Sequence, residues 1–358
     1  MTRIRAAVCH TFGEPLSVEE VELAAPTGRS VEVTLDAVAI CHSDITYASG
    51  AWGGPLPAVY GHEAAGRITG LGDQVAGFAE GDRVIVTLIR ACGSCQSCAT
   101  GAPTSCRSPG GPEPLTMPDG GALSQSMACG AFAEKVVVDQ SQLAPIPDAM
   151  PMDAASLLSC GVITGVGAVV NAGQLRPGED VVVIGAGGVG LNAIQGARLA
   201  GARRIVAVDM QASKLEDAKE FGATDGVLAS EDKPWRKVKE LIGRKADVVL
   251  VTVGIAGVYD QAPNYAEASG RIVMVGMPPS GAMSQYEAAS VAAINQSLIG
   301  SKMGNVVISR DIPWLADLYM QGRLKLDELI SGRWSLDQIN EAIEDTKSGT
   351  ARRNVIVF

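Results

Sequence analysis

The rhythm of apolar and polar positions changes once along the chain. In the first part, short β-rich runs at 31–35, 83–86 and 135–138 are punctuated by glycine and proline. Alternation with a period of two, broken by frequent turns, predicts an irregular all-β domain, a partly open barrel or sandwich. Near Cys160 the pattern becomes one of solid apolar runs, at 181–184, 205–208, 248–251 and 272–275. Between them, 189–200 and 213–221 carry helical patterning, the second entered through Ser213 as its N-cap. That alternation predicts βαβ units and a doubly wound parallel sheet. Beyond about Ser301 it stops: 312–321 and 336–347 read as helices, and the apolar tail 355–358 reads as a return to the first domain. The segment 107–129, rich in proline and glycine and long for a connection, reads as a surface excursion rather than a substrate lid.

A length of 358 residues favours two domains. Hydrophobic residues at 47% against 19% charged exclude a disordered chain, and aromatics at 4% leave the core to aliphatic side chains. A net charge of −10 opposes a polyanionic partner, which excludes nucleic acid. The basic opening is broken by His10, Gly13 and Glu14 before any signal core, and no apolar run reaches membrane-spanning length. The chain therefore reads as cytoplasmic. In that reducing compartment, eight clustered cysteines suggest metal ligands more than disulfides.

Gly185, Gly187, Gly188, Val189 and Gly190 follow the 181–184 strand and open a helix. The first glycine of such a loop allows a tight turn, the second lets backbone approach a pyrophosphate, and the third permits close helix packing. Asp209 ends the next strand, where a carboxylate accepts from ribose hydroxyls and repels a 2′-phosphate, favouring NAD over NADP. Lys214 adds a candidate ribose contact, while Arg203 and Arg204, which precede that strand, read as solvated. Cys92, Cys95, Cys98 and Cys106 form C-x2-C-x2-C-x7-C, four thiolates able to close a tetrahedral zinc site. An iron–sulfur site is the rival, but the ferredoxin spacing ends with three residues and a proline, whereas Arg107 follows Cys106. Cys41, His62 and Cys160, if they converge, form a Cys2His site with one open position. Cys9, Cys129 and His10 read as ordinary structural residues.

Together these motifs, with the Gly-His-Glu around His62 and the Ala351-Arg352-Arg353-Asn354 ending, resemble the zinc-containing alcohol dehydrogenases of the medium-chain dehydrogenase/reductase superfamily. The resemblance implies an α/β chain: a GroES-like irregular β-barrel domain at 1–162, a Rossmann NAD-binding domain at 163–303, and a return to the catalytic domain at 304–358. It implies two zinc ions, a catalytic one on Cys41, His62 and Cys160 and a structural one on the four-cysteine lobe. Asp44 would support His62, Glu63 would act as a transient ligand, and Ser43 would take the hydroxyl proton. Thr164, Val275 and Met277 would contact the nicotinamide, and His42 and Arg353 the pyrophosphate. Trp52 and Leu88 would face the substrate, a small alcohol or aldehyde.

The reaction so implied is reversible oxidation of primary or secondary alcohols with hydride transfer to NAD, zinc acting as Lewis acid. One departure stands out: Thr46 occupies the position where many members extend the proton relay with histidine. The alternatives are a non-catalytic NAD- and zinc-binding redox sensor, or a dehydrogenase of the same superfamily acting on polyols or S-(hydroxymethyl)glutathione. Symmetric assembly into a homodimer or homotetramer is the expected oligomeric state.

Overall fold

In the computed structural model, residues 1–108 and 110–358 are described, and they divide into two compact units, Met1–Cys160 with Val307–Phe358, and Gly161–Val306.

The first unit is β-rich. Strand Ser30–Ala39 is its spine, pairing antiparallel with Glu63–Leu71, Lys135–Asp139 and the C-terminal strand Arg353–Val357. Glu63–Leu71 then pairs with Arg83–Thr87. A smaller sheet is built on Thr2–Cys9 and Ser17–Leu23. Val31, Val33, Leu35 and Val38 are fully or almost fully buried in the shared aliphatic core, beside Phe132, Ile68 and Ile356. The segment 107–129 is not merely an excursion. Leu115–Thr116 and Ser124–Gln125 pair with Ser17–Leu23 and Ala58–Val59, and Leu115, Leu123 and Cys129 are buried. The buried Gln125 and Gln142 amides donate to carbonyls on either side, including Cys129 O at 2.8 Å and Thr87 O at 3.0 Å, which ties the segment down. Pro109, within it, lies outside the described residues.

The second unit is a six-stranded parallel sheet in the order Asp225–Leu228, Arg204–Asp209, Asp180–Ile184, Ala246–Val251, Ala266–Met274, Ser297–Gly300. Its two central strands, Asp180–Ile184 and Ala246–Val251, are buried but for the half-buried Asp247 because helices cover both faces, which is why they read as apolar runs. The two edge strands carry no such run in the sequence, and both are only partly buried. Helix Gly188–Leu199 follows the glycine loop. Helix Ala212–Phe221 starts earlier than expected, with Gln211 and not Ser213 as its N-cap, because Asp209 Oδ1 accepts the Gln211 N–H at 3.0 Å and sets the turn. Arg203 is likewise not simply solvated: it grips the fully buried Asp180 through two nitrogens at 2.9 and 2.6 Å, beside Arg244 at 2.8 Å. Arg204 pairs with Asp225 at 3.4 Å.

One helix, 152–172, is long and apolar enough to cross a membrane, but 89% of its apolar window is buried inside the protein, as befits a core helix.

Candidate functional site

Cys41, His62, Glu63 and Cys160 are buried in the first unit with their ligand atoms within 4.8 Å of one another. Each arrives by a different route. Cys41 is the N-cap of helix His42–Ala48, His62 precedes strand Glu63–Leu71, and Cys160 lies in a widened π-type turn, Leu158–Val162. Such a turn shifts the helix register by one residue and is frequent at functional sites. Ser159 Oγ, donating to Ala64 O at 3.0 Å, pins it to the strand behind His62.

Asp44 organises the cluster. Its carboxylate, 1% exposed, accepts from Cys41 N at 3.1 Å and Gly61 N at 2.9 Å, and lies 2.9 Å from His62 Nδ1. A carboxylate only accepts, so Nδ1 carries a proton, and Nε2 is the nitrogen a metal would take in place of a proton. That Nε2 is buried and has no hydrogen-bond partner among the described residues. Glu63 Oε1 is orphaned in the same way, while Oε2 is paired with Arg353. Two sulfurs, an unpartnered imidazole nitrogen and a free carboxylate oxygen form a donor set suited to zinc.

The charges are mutually adjusted. A hydrogen bond with Cys160 holds the Cys41 thiol well below its ordinary pKa and pushes Cys160 well above. Burial disfavours a charged His62, but Asp44 outweighs it and raises the imidazole. Burial lifts Glu63 to about 7 against the pull of Arg353. Arg353 is 7% exposed and is carried in by the last strand, where Ile40 N donates to Asn354 O at 2.9 Å and so sets Arg353 opposite Cys41. The resemblance implies a pyrophosphate contact for Arg353; in the first unit its side chain is committed to Glu63, and this buried pair between residues 290 apart had no local signal in the sequence.

Around this cluster, Ser43 is half-buried on the helix that Cys41 caps and His42 is exposed. Thr46 Oγ1 donates to His42 O at 2.8 Å, so it is bound to its own helix. Trp52 packs edge-on against Tyr47 with ring centroids 5.0 Å apart, and Leu88 is half-buried against the first core. Tyr47 was not among the expected pocket residues. It lies one helical turn beyond Ser43, a spacing that marks a shared face.

The four-cysteine lobe has a different build. Cys92, Cys95, Cys98 and Cys106 also bring their sulfurs within 4.8 Å, but all are half-buried. Cys92 Sγ accepts from Cys95 N at 3.3 Å and Cys106 Sγ from Cys92 N at 3.4 Å. Backbone donors, first Ser94 and then Cys95, hold Cys92 down to about 5, whereas desolvation pushes Cys98 to about 11. These two sets are the Cys- and His-containing metal clusters among the described residues. His10 instead pairs with Glu19 at 2.5 Å on the surface.

In the second unit, Gly185 has φ +99°, and a Cβ there would strike Val253 at 2.4 Å. A Cβ on Gly190 would lie 1.8 Å from Gly185 O. At Gly187 a Cβ meets nothing within 4 Å, which leaves the backbone open to a ligand ahead of the helix that begins at Gly188 and Val189. Asp209 is fixed onto this loop, its Oδ2 accepting from Ala186 N at 2.8 Å, with half-buried Lys214 on the next helix. This turn, open face and carboxylate suit a dinucleotide. Thr164 is buried with Oγ1 3.7 Å from Met303 Sδ. Val275 is held by its N–H to Val251 O at 3.0 Å, and Met277 is 65% exposed.

Residues 27–148 match the family model of the alcohol dehydrogenase GroES-like domain, and 188–321 that of the zinc-binding dehydrogenase. The NDMA-dependent alcohol dehydrogenase of Amycolatopsis methanolica is 36% identical, over 99% of each chain. The solved alcohol dehydrogenase zinc-binding domain protein from Burkholderia ambifaria superposes with a TM-score of 0.95 at 32% identity, over 100% of this chain and 99% of that one. Benzyl alcohol dehydrogenase from Acinetobacter calcoaceticus gives 0.94 at 29%, over the whole of both chains. A dehydrogenase sequence of this similarity, carrying both zinc-type clusters and the glycine loop, acts on CH–OH donors: the chain belongs to the zinc-containing alcohol dehydrogenases of the medium-chain dehydrogenase/reductase superfamily.

Proposed function

We propose that this chain oxidises small primary or secondary alcohols, reversibly, with NAD as hydride acceptor and two zinc ions per chain. The observation that carries the reading is the buried His62, whose Nε2 is left without a partner beside two thiols while Asp44 holds its other nitrogen. Zinc on Cys41, His62 and Cys160 supplies a Lewis acid that lowers the pKa of an alcohol hydroxyl, and nicotinamide supplies the hydride acceptor.

The chain's own residues do the rest. Asp44 keeps the His62 tautomer fixed and so keeps Nε2 available. Ser43 Oγ, next to Cys41, receives the substrate hydroxyl proton. The relay does not continue through Thr46, whose hydroxyl is held by His42 O, so Ser43 passes the proton to water or to ribose hydroxyls. Arg353 balances Glu63, leaving one carboxylate oxygen for the metal. Trp52, braced by Tyr47, and Leu88 shape the substrate wall and favour slender alcohols. In the other unit, Gly185, Gly187, Gly188, Val189 and Gly190 hold the pyrophosphate, Asp209 and Lys214 the ribose, and Thr164, Val275 and Met277 the nicotinamide. The second zinc, on Cys92, Cys95, Cys98 and Cys106, is structural. All eight cysteines are free, which suits a reducing, cytoplasmic setting.

A second reading concerns the electron acceptor alone. The 36% identical relative is named for dependence on NDMA, which favours the same chemistry with NDMA taking the place of free NAD as acceptor. Assaying a panel of alcohols with added NAD and, separately, with NDMA decides between them. NADH formation supports the first reading, and turnover with NDMA but not with NAD supports the second. Metal analysis finding a single zinc, or iron with sulfide, would remove one of the two zinc assignments.

A further inference from the structure

Thr87 ends the strand Arg83–Thr87 and is fully buried, yet its Oγ1 has no hydrogen-bond partner among the described residues. Its backbone carbonyl is committed, accepting from Gln142 Nε2 at 3.0 Å. A buried hydroxyl without a partner is unfavourable, and a valine of the same shape suits a strand equally well. A fold that keeps the hydroxyl calls for an explanation.

Strand register supplies one. In the antiparallel pairing of Glu63–Leu71 with Arg83–Thr87, Glu63 stands directly opposite Thr87, and Ala64 opposite Val86. Ala64, Ile68, Val84 and Val86 line the first aliphatic core, so by alternation Glu63 and Thr87 share the other face. Side chains directly opposite one another have Cβ atoms about 4.5–5.5 Å apart, a gap that a glutamate arm spans. On its other side Glu63 faces Ala39, which has no polar group to offer. Of the two cross-strand neighbours, only Thr87 is able to donate to Glu63. The Oε1 of that carboxylate is itself buried and unpartnered, so a donor and an acceptor are both left over on facing side chains.

The carboxylate also belongs to the metal cluster. Its Oε2 is paired with Arg353, and it brings a ligand oxygen within 4.8 Å of the donors of Cys41, His62 and Cys160. There it competes for the position on the metal that an alcohol must take. A second resting place for Oε1, away from the metal, resolves that competition in favour of the substrate.

We propose that the Thr87 hydroxyl donates to Glu63 Oε1 when the carboxylate turns away from the metal, and so keeps the open position free for the alcohol. Thr87 is a positioning residue in this assignment, acting through Glu63. The assignment rests on the catalytic-zinc reading given above.

The test is Thr87→Val in the full chain, with Thr87→Ser as the variant that restores the hydroxyl. Cobalt(II) is exchanged for zinc at the buried cluster, and imidazole, a ligand for the open position, is titrated by the visible absorption of the cobalt. The expected result is a Kd for imidazole raised about five-fold in Thr87→Val, the worth of one hydrogen bond, and a parental Kd in Thr87→Ser. In a Glu63→Gln background the valine should have no further effect, because an amide competes poorly for the metal. Unchanged or tighter imidazole binding in Thr87→Val, an equal loss in Thr87→Ser, or a loss that persists in the Glu63→Gln background overturns the assignment. Failure of the parent protein to take up cobalt at the cluster, or to bind imidazole there, overturns the zinc reading itself.

Discussion

The two thiol-rich clusters of the first unit solve the same problem in opposite ways. The four-cysteine lobe takes all its sulfurs from one short stretch, stays half-exposed, and uses nearby backbone N–H groups to stabilise thiolates. The Cys41–His62–Cys160 cluster draws on three distant segments, is buried, and is held by polar side chains from elsewhere in the chain, Asp44 on one side and the Glu63–Arg353 pair on the other. A closed local site organises its surroundings. An open, buried site depends on its surroundings to organise it, and it leaves lone pairs unused.

That contrast predicts different failures. Cys160→Ala is expected to lower kcat by about a thousandfold, because it removes a ligand of the Lewis acid, while circular dichroism and thermal midpoint change little. Retained activity would break the comparison. Cys95→Ala is expected to act on folding instead, lowering the midpoint by about 10 °C or more through metal lost from a closed site. A scan of the purified variant beside its zinc content checks this, and an unchanged midpoint at one zinc fewer would remove the structural role.

Arg353→Met leaves Glu63 buried without its partner; burial already lifts that carboxyl to about 7 with the arginine in place, so it takes up a proton at neutral pH, and the loss in urea unfolding is expected to be about 1–3 kcal/mol, growing as pH rises above neutral. Adding Glu63→Gln should remove the growth of that loss with pH, since the pH-dependent part comes from ionising the unpaired carboxyl. Additive losses in the double variant would show that the pair does not act as a unit.

Glu32, outside both clusters, serves as a reference for an ordinary partly buried pair. Although burial alone would raise it, its hydrogen bonds from Lys135 Nζ at 2.8 Å and Thr69 Oγ1 at 2.7 Å hold its carboxyl below the usual value. A depressed folded pKa adds stability above the unfolded value near 4.5, and that stability is lost as pH falls through the folded value. Glu32→Gln should therefore cost about 1 kcal/mol at neutral pH and much less in strong acid, as read from unfolding at both pH values. The smallest effect is expected for Ser94→Ala, which removes only an exposed hydroxyl 3.8 Å from Cys92 Sγ. Its midpoint should move by about 1 °C or less, and a larger drop would mean that the lobe depends on side chains as the buried cluster does.

The sequence alone determined what depends on neighbours along the chain. The four-cysteine spacing, the glycine loop and the unbroken apolar runs of the central parallel strands are local patterns with local physical causes, and each was legible before any fold was known. The edge strands Asp225–Leu228 and Ser297–Gly300 were not, because a partly buried strand needs no continuous apolar run. The pairing of 107–129 into the smaller sheet was hidden by its prolines and glycines. Only the tertiary structure decided that Arg353 belongs to Glu63, that Thr46 is held by its own helix, and that Thr87 keeps an unpaired hydroxyl. Hydrogen bonds and ion pairs between residues far apart in the chain follow from how strands are brought side by side, and no periodicity or spacing within a single segment encodes which buried group is left without a partner.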